Sequence, residues 1–214
     1  MIIEPISVEL VDHMGNDLRV ANVARVSFNK WKEEFDDKDA KLCKYLADHN
    51  HWTPFAHCQV SVRVNAPIFL ARQLVKHQVG LVWNEVSRRY VDSDPTFYIP
   101  EKLHGRPDNK KQGSGDVHYD SKVWLDSFPD NIREYLRIYK WMISDGVAPE
   151  EARMVLPLNT NTQWIWTGSL AAFARIYNQR KDGHAQLAAQ EFADKLGEVV
   201  TPLFPVCWGL LTDE

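Results

Sequence analysis

The sequence predicts a mixed chain in which a few strands are packed among helices. Two alternating stretches carry the strand signal: ISVELV over residues 6–11, and residues 58–64, where Val60, Val62 and Val64 alternate with Gln59, Ser61 and Arg63. Period-two alternation with β-branched residues on one side marks a half-buried strand. Most of the remainder repeats its apolar residues every three to four positions, the helical period. A single domain over residues 1–214 is expected, long enough to bury a sizeable core.

In order, Asp17 is placed to cap a helix through Val20, Val23 and Ala24 towards Val26, and residues 27–37 read as a loop. Leu42, Tyr45 and Leu46 give residues 39–49 a helical face. The stretch HNHWTPFAH (residues 49–57) holds three histidines, but Thr53-Pro54 signals a turn. Contact with a heteroaromatic ligand suits it better than a metal, and no metal site is expected. Pro67 suits the first position of a helix whose buried face is Ile68, Ala71, Leu74 and Val75. Arg72 and Lys76, and likewise Gln73 and His77, lie four apart on its polar side. Gly80 then loosens the backbone and NEVSRRY follows. Residues 91–115 form a long excursion with a mobile portion at residues 110–113. Residues 124–144 read as a strong helix with Pro129 near its start and Gly146 past its end. Residues 149–157 form a short helix stopped by Pro157. Residues 158–166 read as a strand or tight connection. Ser169 caps a helix towards Gln179, and after a break at RKDGHAQ (residues 180–186) a long helix runs to Val200.

The chemistry concentrates in residues 66–90, where Glu85 and Ser87 are interleaved with Arg88 and Arg89. Paired guanidiniums suit a phosphate, because each planar fork binds two oxygens at once. Arg153 sits among apolar neighbours, so it meets an anion or snorkels to water; Arg180 meets a ligand or serves the C-terminus of its helix. A net charge of −4 argues against a general nucleic-acid binder and favours a small anion. Some of the eight tryptophans are expected at a ligand site or subunit contact. Cys43, Cys58 and Cys207 form no CxxC motif and no disulfide framework. Neither a signal peptide nor an apolar run long enough to span a bilayer is evident, so a cytoplasmic protein without membrane contact is expected.

Taken together, ARVSF near residue 24, HNHWTPFAH, APIFLARQLVKHQVGLVWNEVSRRY, ARMVLPLN and RKDGHAQ resemble, in order, the blocks of the flavin-dependent thymidylate synthases. That family's signature is Arg-His-Arg, seven residues, then Ser, with an arginine and a tyrosine after it. Here Lys76-His77-Gln78 is followed by eight residues, Ser87 and Arg89-Tyr90. The resemblance implies an α+β fold with a central antiparallel sheet, packed helices and a helical remainder. It implies reductive methylation of dUMP to dTMP with FAD, NADPH and methylenetetrahydrofolate, in a homotetramer whose active sites are shared between subunits. It also implies dUMP contacts from Gln73, Lys76, Glu85, Ser87, Arg88, Arg89, Arg153 and Arg180. FAD contacts would come from Thr53, Lys76, His77, Gln78 and Glu85, and His51 would be functionally important. Ser169 and Arg175 fall where the family has asparagines near the flavin, and Arg175 offers a cation in place of those the triplet lacks. Arg180 would contact the uracil and polarise it. No cysteine lies inside these blocks to serve as the nucleophile a flavin-free route needs.

Three rivals bear on the same residues. A divergent one-carbon transferase acting on pyrimidine nucleotides is motivated by the KHQ triplet and the longer spacer. A flavin-free nucleotide-binding protein would keep only the dUMP pocket, and a metal hydrolase would use His49, His51 and His57.

Overall fold

The structure, a computed structural model, describes residues 1–91, 93–107 and 113–212. At its centre is a four-stranded sheet in the order β2–β3–β6–β4, with every neighbouring pair antiparallel. The short strand β1 is Ile2–Ile3, β2 is Ser7–Met14, β3 is Gln59–Pro67, β4 is Leu81–Glu85, β5 is Thr96–Phe97 and β6 is Asn161–Ser169. β1 and β5 form a separate parallel pair. The alternation at residues 58–64 does what such a pattern must: Val60, Val62 and Val64 are wholly buried. Across the register Val62 faces Trp166 and Val64 faces Trp164, so valines and indoles line one face. Burying each such side chain stabilises the fold by about 1.5–3 kcal/mol.

That face is covered by α7 (Leu170–Lys181) and α8 (Leu187–Val200), whose Phe173 and Phe192 pack their rings 5.6 and 6.1 Å from that of Trp166. On the opposite face Ser61 hydrogen-bonds Thr167 at 2.7 Å and Arg63 is exposed, as is Val82. A bulge between Leu10 and Asp12 interrupts β2, locally twisting this edge strand.

Three helices connect the end of β2 to the start of β3: α1 (Asp17–Arg25), α2 (Asp37–Asp48) and the short α3 (Thr53–Ala56). The expected cap of α1 is corrected. Asn16 caps it, accepting from the Arg19 N–H at 3.0 Å, whereas the Asp17 carboxylate is buried and turns to another element. It accepts from the N–H groups of Val206 and Cys207 at 2.9 and 3.0 Å, closing the start of the C-terminal helix α9 (Cys207–Thr212). The loop over residues 27–37 is fastened by Asn22, whose carboxamide exchanges two hydrogen bonds with the Lys32 backbone, and by a Lys32–Asp39 ion pair at 2.6 Å.

α4 (Ile68–Leu74) leaves β3 at Pro67, which is not the first helical residue but the extended residue before it, with ψ 148°. The first free N–H groups of α4 are taken up by the turn before β6: Ile68 donates to Thr160 at 2.9 Å and Phe69 to Leu158 at 3.2 Å. Beyond β5, the long helix α5 (Ser121–Ser144) begins three residues before the expected Trp124 and carries Pro129 in its third turn. Ile132, Leu136 and Tyr139 of α5 join Phe97 and Ala152, the latter on α6 (Pro149–Ala152), in a second apolar cluster. The expected mobile portion falls on residues 110–112, outside the described residues, and on Gly113, which takes a left-handed φ of 88°.

Candidate active site

The turn after α4 and the last two turns of α7 meet at one corner of the sheet. Gly80 takes φ 77°, a conformation open to a residue without Cβ, and its carbonyl accepts from Ser169 N–H at 3.3 Å. Gly168 lets this turn lie close, since a Cβ there would sit 2.9 Å from the Gly80 oxygen. The Arg175 guanidinium donates from Nη2 to the Val79 carbonyl at 2.6 Å. One helical turn further on, Arg180 directs Nε and Nη2 at Nε2 of His77, at 3.0 and 2.8 Å. Nε2 is therefore the acceptor, and the imidazole carries its proton on Nδ1. Burial, then the charges of Arg180 and Arg175, push the His77 pKa down to about 4, so this ring is neutral at physiological pH.

Arg180 and Gln73 line a cavity of about 1240 Å³ that also takes in Tyr98, Lys102, His104 and His184. The amide oxygen of Gln73 is buried there without a hydrogen-bond partner, leaving an acceptor that a ligand N–H can satisfy. Tyr98 donates its hydroxyl to Glu191 at 2.9 Å; burial, then that carboxylate, push its pKa up. Lys102, His104 and His184 are lining groups that the sequence reading left out. His184 stood inside the quoted RKDGHAQ block, whereas Lys102 and His104 lie in the excursion and carry no motif of their own.

A separate cavity of about 370 Å³ is lined by Glu85, Arg88 and Arg153, together with Glu4, Asp94 and Thr162. Glu85 closes β4, where Oε1 accepts from Thr162 at 2.8 Å and Oε2 from the Trp83 indole at 3.3 Å. Arg88 donates to the Ser93 carbonyl at 2.8 Å. Arg153 is exposed and spends only Nε, on the Glu150 carbonyl at 3.1 Å, so the snorkelling alternative describes its position and its fork stays open to an anion. Ser87 accepts from the backbone N–H and Nε of Arg89 at 3.3 and 3.1 Å, and the Arg89 guanidinium lies 5.0 Å from the Tyr90 ring centroid.

The expected site residues thus fall into groups that one chain does not unite. Gln73, His77, Arg175 and Arg180 gather at the α4–α7 corner, with Lys76 and Gln78 exposed on the same turn. Glu85, Arg88 and Arg153 share the smaller cavity. His51 and Thr53 stand apart, exposed, and His51 packs its ring 5.9 Å from Tyr45 and 6.2 Å from His49. Ser169 is buried, and its hydroxyl caps α7 by accepting from Ala172 N–H at 3.2 Å. Among the described residues no three His, Cys, Asp or Glu side chains converge to hold a metal ion. Cys43, Cys58 and Cys207 are all buried in the main core, and burial pushes the Cys58 thiol up to about 11. Among the described residues no helix is long and apolar enough to cross a membrane.

Comparison with known proteins matches residues 9–206 to the family described as thymidylate synthase complementing protein. A flavin-dependent thymidylate synthase from Thermosipho africanus (strain TCF52B) is 36% identical, over 89% of this chain and 83% of the relative. One from Wolbachia pipientis wMel is 35% identical over 96% of this chain and 73% of the relative. Among solved structures, the UMP/dUMP methylase PolB from Streptomyces cacaoi bound with 5-Br dUMP superposes with a TM-score of 0.87 at 28% identity, covering 99% of this chain and 97% of that one. PolB bound with 5-Br UMP gives 0.86. With its antiparallel sheet, its arginine-bearing corner and this match along nearly its whole length, the chain belongs to the thymidylate synthase complementing protein family, the flavin-dependent thymidylate synthases.

Proposed function

We propose that this protein methylates dUMP reductively to dTMP, taking the carbon from methylenetetrahydrofolate, with FAD as hydride carrier and NADPH as reductant. The observation that carries this reading is that the groups suited to a nucleotide are divided between two cavities, one lined by Gln73 and Arg180, the other by Glu85, Arg88 and Arg153. A second copy of the chain, supplying the smaller cavity's arginines opposite Arg180, completes a site that no single copy contains; a homotetramer provides this by symmetry. The names of the relatives, and the bound nucleotide analogues of PolB, support a pyrimidine nucleotide as the substrate.

In that shared site the phosphate, with a charge near −2, is met by Arg153 and by Arg88 and Arg89 of the NEVSRRY turn, each bond being charge-assisted. Ser87 and Glu85 are neutral and anionic acceptors for ligand N–H and O–H groups. The unpartnered Gln73 oxygen suits an N–H on the uracil edge, and Lys76 adds a cation beside it. Arg180 contacts the uracil and stabilises the negative charge that builds as C5 attacks the one-carbon unit.

The donor set of the α4–α7 corner fits a flavin: Lys76 and Arg175 supply positive charge and Gln78 an exposed hydrogen-bonding group, to which Thr53 of α3 adds another from outside the corner. Lys76, His77, Gln78 and Arg175 would hold it at this corner, with Thr53 and Glu85 brought to it from the other groups by assembly of copies, and Ser169 would act through the α7 cap. Bound there, FAD supplies the hydride that the polypeptide cannot. The buried thiols agree with a route that uses no cysteine nucleophile. His51, in its ring cluster with Tyr45 and His49, offers an aromatic surface for a planar co-substrate.

A second reading keeps the site and widens the substrate: the PolB structures hold both deoxyribo- and ribonucleotide analogues. One assay decides between them. Purified protein is given dUMP or UMP with methylenetetrahydrofolate and NADPH, with and without FAD, and products are resolved by mass. FAD-dependent dTMP supports the proposal, and methylated UMP beside it supports the wider reading. Unchanged nucleotides in every tube would contradict both.

A further inference from the structure

The corner where α4 meets α7 contains more than a list of ligand groups. His77 lies between two guanidiniums of the same helix, and each has a different task. Arg175 holds the backbone: its bond to the Val79 carbonyl ties the turn after His77 to α7. Gly80, with its left-handed φ, and Gly168, with its missing Cβ, let that turn lie against β6. Arg180 makes the side-chain contact, giving two of its five N–H groups to one nitrogen of the imidazole and leaving three unspent. This geometry needs a lone pair on Nε2. A doubly protonated ring would turn an N–H towards a guanidinium and be repelled.

We propose that His77 is a positioning residue for Arg180: held against α7 by the Arg175–Val79 bond, its neutral ring accepts the Arg180 guanidinium and aims the unspent N–H groups at the uracil. This rests on the reading of Arg180 as a uracil contact. Burial, then the charges of Arg180 and Arg175, hold the ring neutral, so the arginine it aligns also helps to resist its protonation. The charged groups that act on His77 are Arg180 and Arg175, both from α7, while its chain neighbour Lys76 is exposed. Without the imidazole, a long guanidinium at a helix end samples several rotamers, and only some of them point at the reacting ring. The loss then falls on turnover more than on substrate affinity.

The test has two arms. In the first, the imidazole of His77 is titrated by NMR in protein free of substrate and flavin. Its midpoint is expected well below 6.5, near 4, and raised in the Arg175→Gln variant. A midpoint at or above 6.5 in the unaltered protein overturns the proposal. In the second, His77→Gln, whose amide oxygen can stand in for Nε2, is compared with His77→Leu at saturating FAD, with flavin affinity measured separately by fluorescence. His77→Leu is expected to lower kcat about tenfold or more with the KM for dUMP changed by less than about threefold, and His77→Gln to recover most of the loss. Equal kcat values for the two variants overturn it. If the unaltered protein makes no dTMP, the functional reading fails, and the titration still decides the contact.

Discussion

Replacing Gly168 by alanine should damage the site through the backbone alone. The new Cβ would lie 2.6 Å from Leu81 Cδ2 and 2.9 Å from the Gly80 carbonyl oxygen. The leucine methyl can rotate away. The carbonyl cannot, because it belongs to a turn that also carries the Ser169 N–H bond at 3.3 Å and the Arg175–Val79 bond at 2.6 Å. Overpacking of this kind costs about 1–3 kcal/mol, and losing one backbone hydrogen bond adds about 1 kcal/mol. At roughly 2–4 °C per kcal/mol for a chain of this size, Tm should fall by about 4–16 °C. The turn ends next to His77, so a displacement on the order of 1 Å there can cost about a hundredfold in kcat/KM for dUMP. Differential scanning calorimetry and steady-state kinetics on the same preparation read both effects. A Tm within about 1 °C of the parent, with kcat/KM within about twofold, would refute the reasoning.

Three further outcomes follow from particular contacts. Asp17→Asn keeps one acceptor of the two that close α9, and should cost about 1.5–3 kcal/mol in urea unfolding; a change below about 0.5 kcal/mol would show that α9 does not depend on this carboxylate. His77 binds its proton less readily when folded (about 4 against 6.5), so the unfolded chain takes up more protons between those values. Stability should therefore rise with pH from about 4 to 6.5 and level off above, and His77→Gln should flatten that slope; an unchanged slope would place the titration elsewhere. Arg180→Ala should lower kcat much more than it lowers dUMP affinity measured by calorimetry, and equal losses in both would argue against an activating role.

The parts of the fold that could be read directly were those where burial imposes a period. Val60, Val62 and Val64 alternate because β3 lies in the sheet interior with one face packed, and α5 shows its period because Ile132, Leu136 and Tyr139 all bury. β4 was hidden: Leu81–Glu85 is short, lies at a sheet edge, and has Val82 and Asn84 facing away from the core, so it looked like an approach to the charged turn. The role of Asp17 was invisible for another reason, since its partners lie about 190 residues away and nothing local distinguishes it from a cap. Some of the tryptophans were expected at a ligand or subunit surface: Trp31, Trp52, Trp124 and Trp141 are exposed, whereas Trp164, Trp166 and Trp208 are buried in the core, where indoles fill volume between sheet and helices.

The site was legible residue by residue and not as a geometry. The Arg175–Val79 and His77–Arg180 contacts bridge about 100 residues of sequence, so spacing cannot reveal them. From the sequence Arg175 offers a cation in place of those the triplet lacks; in the structure it also grips the backbone at Val79, the first residue of the eight-residue spacer.

Mixing two inactive proteins tests the shared site most directly. Arg153→Ala and Arg180→Ala chains, each assayed alone and then co-assembled in equal amounts, can form sites in which both arginines are present. Random assortment predicts about one quarter of the parent's dTMP-forming activity, because a complete site must draw its Arg153 from one variant and its Arg180 from the other. Activity no greater than the mean of the two variants alone would contradict a site divided between copies, and with it the assembly proposed here.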